Sequence, residues 1–428
     1  MLVVSSVIGV GIFLTPGAIA ELLPDGRLIL LAWLAGGLLS LAGALANAEL
    51  GAMYPHAGGD YVYLREAYHP AAGFLVGWLS FLVIYTGTVA TLATGFAEGL
   101  QPFVVLGPAG RMAVAVVVIV ATTAVNYVSV PLGAQFNNLT GYLKVATLVG
   151  LGIGGVVLAP AAVAAPAVGS ASPSSFGLAL SPILFSYLGW NASVYVASEI
   201  RDPDRNVPRS LFVGLAVCTV IYLLTNAAYL AALPIDRMRG EVRVGEATAR
   251  VFFGPAGGTV AAVLVLASVL GCLNATILVG PRIAYAMAID GHFFDRVARV
   301  HARYRTPHVA LVVQAACAIA LVVVLQRFPS VLDYTTFAIV LATIADTTCL
   351  YRLRQTRPHA RRPYRAWGYP VVPALYLVAN VAIAAAMLRG RPMECAIALG
   401  VTATGIPAYT AFARRRVRRS GATSGRSA

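Results

Sequence analysis

Apolar stretches long enough to cross a bilayer recur along almost the whole of this 428-residue chain. A spanning helix needs about 20 mostly apolar residues. Inside lipid every backbone N–H and C=O must be satisfied within the protein, so only helices or a closed barrel can span. Twelve stretches qualify, at roughly 2–20, 28–48, 71–97, 112–129, 139–159, 177–198, 209–232, 257–288, 308–326, 332–350, 370–388 and 394–412; they are called spans 1 to 12 below. Only 11% of the residues are charged, against roughly 25% in a soluble domain. The chain therefore reads as an all-α integral membrane protein of about 12 transmembrane helices. A single transmembrane domain covers residues 1–412. A basic tail, 413–428, is expected to lack fixed structure.

The net charge of +14 does not mark a nucleic-acid binder. The basic residues sit in short runs between apolar stretches, as membrane topology requires. An even number of spans puts both termini on one side. Twenty arginines fall on that side: Arg65, three from Arg201 to Arg209, four from Arg296 to Arg305, six from Arg352 to Arg365 and six from Arg414 to Arg426. The loops of the other side hold nine. Positive charge accumulates on the inside, so both termini are expected in the cytoplasm, with the chain in the cell membrane. The tail motif "RRRVRR" reads first as an orienting signal and second as a contact for anionic membrane lipid. The five cysteines are scattered singly, without CxxC or Cys/His spacing. No disulfide framework, metal site or cofactor is expected from them.

Two spans are interrupted. Span 1 contains "SSVIGVGIFLTPG" (Ser5–Gly17), with Gly9 and Gly11 on either side of Val10. Span 6 contains "SPILFSYLGWNASVY" (Ser181–Tyr195), with Gly189 among Ser186, Tyr187, Trp190 and Asn191. Glycine lowers the cost of leaving helical geometry. Irregular backbone at membrane depth is tolerated where it lines a cavity. The breaks lie five spans apart, the spacing of a five-helix unit repeated with inverted topology and a substrate held at the paired breaks. Repeat one then covers about 2–159, repeat two about 177–350, and two additional helices about 370–412. The plainer alternative is close helix packing through small residues. An unwound break offers free N–H groups and positive dipole to a carboxylate, and free carbonyls to an ammonium. An α-amino acid carries one of each, and Ser181–Ser198 holds no charged side chain.

Lys144 is the only lysine, and it lies in an apolar stretch. A buried lysine can lose its proton at accessible pH; an arginine in practice cannot. Two readings stand. As about the sixth residue of its span it lies roughly 8 Å deep, within reach of the surface by snorkelling. Alternatively its ammonium faces the bundle and reaches the carbonyls around Ser5–Gly9.

The segments "VIGVGIFLTPG", "SYLGWNASVYVASEIRDPDRNVPRS" and "LNATILVGPRIAYAMAIDGHFFDRVARVHARYRTPHVAL" resemble an amino-acid permease of the amino acid–polyamine–organocation superfamily, nearest to bacterial members of its L-type, serine/threonine exchanger-like branch. The likeness runs from Ser5 to about residue 412. It implies a five-plus-five inverted repeat with broken helices 1 and 6, plus two C-terminal helices. By that likeness the N–H groups of Val10, Gly11 and Ile12 take the substrate carboxylate, and the carbonyls of Val7, Ile8, Phe185 and Ser186 receive its ammonium. Leu188 and Trp190 border the side-chain pocket. Lys144 matches a fifth-helix lysine that, in sodium-independent relatives, reaches toward the place sodium occupies in sodium-coupled ones. Val10 stands where many relatives carry serine, so one hydroxyl contact to the carboxylate is missing. Leu188 stands where large-substrate exchangers often carry glycine, which favours a smaller pocket. The sequence begins almost inside span 1, where relatives usually carry a basic leader, so either the start lies upstream or the first half-helix is short.

Other polar residues carry weaker expectations. "EIRDPDRNVP" reads as an inner loop or inner gate, with Pro203 and Pro208 ending helices and Glu199, Asp202 and Asp204 near several arginines. Arg282 is expected to snorkel or to pair with an inner-loop acid. Asp346, late in span 10, is costly in lipid and is expected to face the bundle or the inner surface, with proton coupling as the lesser reading. "GEATARVFFG" reads as a short outer helix. The residues together point to a sodium-independent secondary transporter, an exchanger or proton-linked, of small to medium neutral L-amino acids. A polyamine or cationic amino-acid carrier of the same fold is the alternative; a channel or membrane-bound enzyme is the alternative of another class. Expected partners are the amino-acid substrate, membrane lipid and, if Lys144 titrates, protons. Nucleic acid and an obligatory partner subunit are not indicated.

Overall fold

The structure is a computed structural model that describes residues 2–55, 58–128, 130–158, 172–195 and 200–424. Among the described residues all regular structure is helical. Span 1 is in three pieces, Leu2–Val7, Gly11–Leu14 and Pro16–Leu22, with a 58° bend before the last. Span 2 is the unbroken helix Gly26–Met53, capped by the Asp25 carboxylate, which accepts from the Arg27 N–H at 2.7 Å. Span 3, Pro70–Gly99, contains a π-helical turn at Ser80–Tyr85. Spans 4 and 5 are Pro108–Val128 and Val130–Leu158. Span 6 consists of Pro173–Ser186 and Ala192–Tyr195; its expected end at residues 196–198, with Glu199 beyond, lies outside the described residues. Spans 7 to 11 are Pro203–Ala232, Val244–Ile289, His308–Leu325, Phe328–Thr356 and Val371–Gly390. Span 12 is Pro392–Ala403 followed by Gly405–Ser424.

Several ends differ from the sequence reading, each for a local reason. Pro203 starts span 7 rather than ending a helix, because a proline fits the first helical turn, where its missing N–H has no partner to lose. Pro208 lies within the same first turns. The short outer helix before span 8 exists and joins it through Gly254, whose φ of 72° breaks the helical path. The basic tail is helical up to Ser424, where the sequence reading left it without structure.

The bundle sorts its spans by burial. The apolar window of span 3 is 78% buried, whereas that of span 4 is 17% and that of span 12 is 22% buried. Yet span 4 exposes Val117, Val120 and Val125, and span 7 exposes Val213, Val220 and Leu224. A helix apolar on its outer face suits lipid rather than water. Spans 2 and 5 both pack on span 7, spans 5 and 7 pack on the first piece of span 1, and span 5 also packs on span 8; spans 8, 9 and 10 pack on span 3. The chain is thus a multi-pass membrane protein with two additional helices, spans 11 and 12, beside span 10 and span 3.

The arginine-rich end is held by ion pairs. Glu49, at the end of span 2, is wholly buried, and its carboxylate accepts from Arg354 at 2.6 Å, from Arg362 at 3.2 Å and from the Ala366 N–H at 2.6 Å. A buried carboxylate is tolerable only with such compensation. The pairing ties span 2 to span 10 and to the loop that follows it.

Candidate functional site

The helical ladder of span 1 stops after the Ile8 N–H, which still reaches Val4 O at 3.0 Å. It resumes with the N–H groups of Phe13 and Leu14, both on Val10 O. Among the described residues, the N–H groups of residues 9–12 have no backbone acceptor. Val10, Gly11 and Ile12 are within that set. In span 6 the ladder ends with Leu188 N–H on Phe185 O at 3.0 Å, and the chain turns at Gly189, φ 101°.

The two breaks touch. A Cβ added at Gly189 would stand 2.6 Å from Ser6 O, and one at Gly11 would stand 2.8 Å from Ser186 Cα. Both positions therefore exclude any side chain: Gly189 by its left-handed φ and by contact, Gly11 by contact alone. The glycines serve close approach as well as unwinding, so the packing and the cavity readings of these breaks both hold.

A cavity of about 80 Å³ lies at the junction. Val7, Val10, Gly11, Phe185, Ser186 and Leu188 line it, joined from other spans by Thr88, Cys272, Thr276 and Thr343, and by Asp60. Ile8, Ile12 and Trp190 are buried but do not line it. Trp190, expected to border the side-chain pocket, thus packs away from the cavity wall.

Three side chains hold the broken backbone. Lys144 is 1% exposed, which removes the snorkelling alternative. Its ammonium donates to Ser5 O at 3.1 Å and lies 2.9 Å from Cys272 Sγ. The Cys272 thiol is 3.2 Å from Ile8 O. The Tyr222 hydroxyl lies 2.9 Å from Val7 O and 2.8 Å from Ser186 O, bridging the two broken helices. All four carbonyls expected to receive an ammonium therefore already lie within reach of a protein donor, Phe185 O through the Leu188 N–H. Each carbonyl oxygen keeps a second lone pair. Sequence reasoning missed Tyr222, Cys272 and Asp60, because a lone tyrosine or cysteine within an apolar span carries no periodic or spacing signal.

The cavity lies between two polar ends. Toward the arginine-rich end, the short helix Asp60–Ala67 is latched to the end of span 8: Arg65 pairs with Asp290, and Tyr61 donates to Asp290 at 2.6 Å. Burial, and then the Asp290 carboxylate, push the Tyr61 hydroxyl well above its ordinary pKa, so it remains a donor. Toward the opposite end a vestibule of about 370 Å³ is lined by Thr15, Glu98, Arg111, Asp333 and Arg391, among others. The Thr15 and Ser186 hydroxyls, 3.4 Å apart, stand between the two spaces. Arg282 donates to Leu278 O at 2.7 Å, within its own helix.

About twelve helices, two of them broken against one another around a small cavity, define a membrane transporter built on an inverted repeat. Residues 1–402 match the family model described as Amino acid permease, and the chain belongs to that family. It is 28% identical over 422 residues to the serine/threonine exchanger SteT of Bacillus subtilis (strain 168), covering 97% of this chain and 95% of the relative. It is 29% identical to the human large neutral amino acids transporter small subunit 2, covering 95% and 78% respectively. It is 27% identical to the human Asc-type amino acid transporter 1, covering 95% and 80%.

Proposed function

We propose that this chain is a sodium-independent secondary transporter, an exchanger or a proton-linked carrier, of small to medium neutral L-amino acids. It works by alternating access in the cell membrane, with both termini cytoplasmic. The observation that carries the sodium independence is the Lys144 ammonium, 3.1 Å from Ser5 O at the end of the first half-helix. A fixed cation there neutralises the carbonyl end of the half-helix and ties span 5 to span 1, so no mobile cation is needed. The substrate carboxylate meets the N–H groups of Val10, Gly11 and Ile12. Its ammonium takes the remaining lone pairs of the Val7, Ile8, Phe185 and Ser186 carbonyls, with Tyr222 fixing two of them. Leu188 at the wall of an 80 Å³ cavity supports a small side chain. The names of the relatives, a serine/threonine exchanger and neutral amino-acid transporters, agree with this class.

The test is exchange by the chain alone in vesicles, without a second subunit. Replacing sodium by choline is expected to leave exchange unchanged. Serine, threonine and alanine are expected to compete better than putrescine or arginine. Strict sodium dependence overturns the role given to Lys144. The cationic alternative has one observation in its favour, the Asp60 carboxyl at the cavity wall; preference for putrescine or arginine in the same competition would establish it.

A further inference from the structure

Asp60 is 3% exposed and lines the cavity at its arginine-rich end. Asp346, on span 10, is 1% exposed. It lies one turn beyond Thr343, which also lines the cavity. The Asp346 carboxyl faces the side chains of Asp60 and Asn47. Two buried carboxyls facing one another cannot both stay charged; one of them carries a proton. Among the described residues, Tyr63 from the short helix, Cys349 from span 10 and Tyr376 from span 11 also face the pair. Arg354, further along span 10, is already engaged by Glu49. Among the described residues, Asp346 Oδ1, Asn47 Oδ1 and the Tyr63 hydroxyl, all buried, have no hydrogen-bond partner. Unused buried polar atoms around an acid pair mark a place that exchanges a proton or a water.

We propose that Asp60 and Asp346 form a proton-binding site at the end of the substrate cavity, holding one shared proton that is exchanged with cavity water during transport. With the proton bound, the pair carries one negative charge and ties span 10 to the short helix Asp60–Ala67. Loss of the proton to water leaves two carboxylates a hydrogen bond apart, which repel and release that tie. The cavity then opens toward the arginine-rich end more readily at high pH than at low pH. This inference rests on the cavity being the substrate path. It adds a proton site distinct from Lys144, which sits on span 5 against Ser5 O of the first half-helix.

Two measurements on the purified, full-length chain test it. The first is infrared titration of the carbonyl stretch of protonated carboxylic acids. Asp346→Asn is expected to remove one such band that titrates as a pair, and Asp60→Asn to remove the same band. If either variant fails to fold, the other reads the same group. A band left unchanged by both substitutions overturns the site. The second is proton movement in vesicles on adding substrate. Asp346→Asn is expected to lower it about ten-fold and to flatten the pH profile of exchange. An unchanged profile overturns the coupling. The infrared reading does not depend on transport. Absence of any amino-acid flux in the unmodified protein would therefore sink the transporter reading alone.

Discussion

The two repeats secure their broken helices with groups of opposite charge. In repeat one, Lys144 of span 5 donates to Ser5 O of span 1 at 3.1 Å. In repeat two, Asp333 of span 10 accepts from the Ser181 hydroxyl of span 6 at 2.8 Å. The first tie is sealed, and its contacts are a backbone carbonyl and a thiol. The second borders the vestibule, and Arg391, itself 45% exposed, pairs with the carboxylate at 3.0 Å. A fifth helix is thus tied to a broken first helix once by a cation against backbone, from the middle of span 5, and once by an anion shared with a half-exposed arginine, from the first turns of span 10. The chemistry of each tie follows its local surroundings. The deeper tie has fewer substitutes and should matter more.

The break itself sets the largest effect. Gly11→Ala places a Cβ 2.8 Å from Ser186 Cα, a backbone contact that cannot rotate away. The expected cost is about 3 kcal/mol or more, read as loss of the folded, monodisperse protein in detergent and of all exchange. Normal expression and exchange would mean that the breaks do not touch during the transport cycle.

Next comes the sealed tie. Lys144→Ala removes the charged donor of the buried Ser5 carbonyl at a cost of about 1–3 kcal/mol and should abolish measurable exchange while folded protein remains, by size exclusion. Lys144→Arg sharpens the result. Retained exchange with lost pH dependence would make the lysine a proton carrier, and loss of both would make it a geometric tie. The shared tie is weaker: Asp333→Asn keeps an acceptor for Ser181 and loses an ion pair whose carboxylate is buried but whose arginine is half-exposed, about 1 kcal/mol. Its exchange should fall far less than that of Lys144→Ala. An equal loss would erase the distinction between the repeats. Smallest is Leu188→Gly, which should leave stability nearly unchanged and admit larger neutral side chains, shifting preference by about ten-fold in competition.

The sequence discloses these regions unevenly. Twelve apolar runs mark the spans because lipid demands length and apolarity from each segment independently. Their ends are less legible. Pro203 can stop or start a helix, and only the backbone before it, with Asp202 at φ 48°, decides. The glycines at 9, 11 and 189 flag both breaks, and the lone lysine flags its own importance. The partners are another matter. Cys272 and Tyr222 arrive from spans 8 and 7 by packing, and neither residue type announces a hydrogen bond to a carbonyl 200 or more residues away. Trp190 shows the converse: an aromatic beside a break looks like a pocket wall, but its ring is taken up by the core.

Tyr222 carries one last consequence. Its single hydroxyl hydrogen has two acceptors, Val7 O and Ser186 O, at nearly equal distance. The two oxygens therefore share one donor. A cationic group that took up either oxygen would leave the hydrogen to the other, so the two broken helices are coupled through a single O–H.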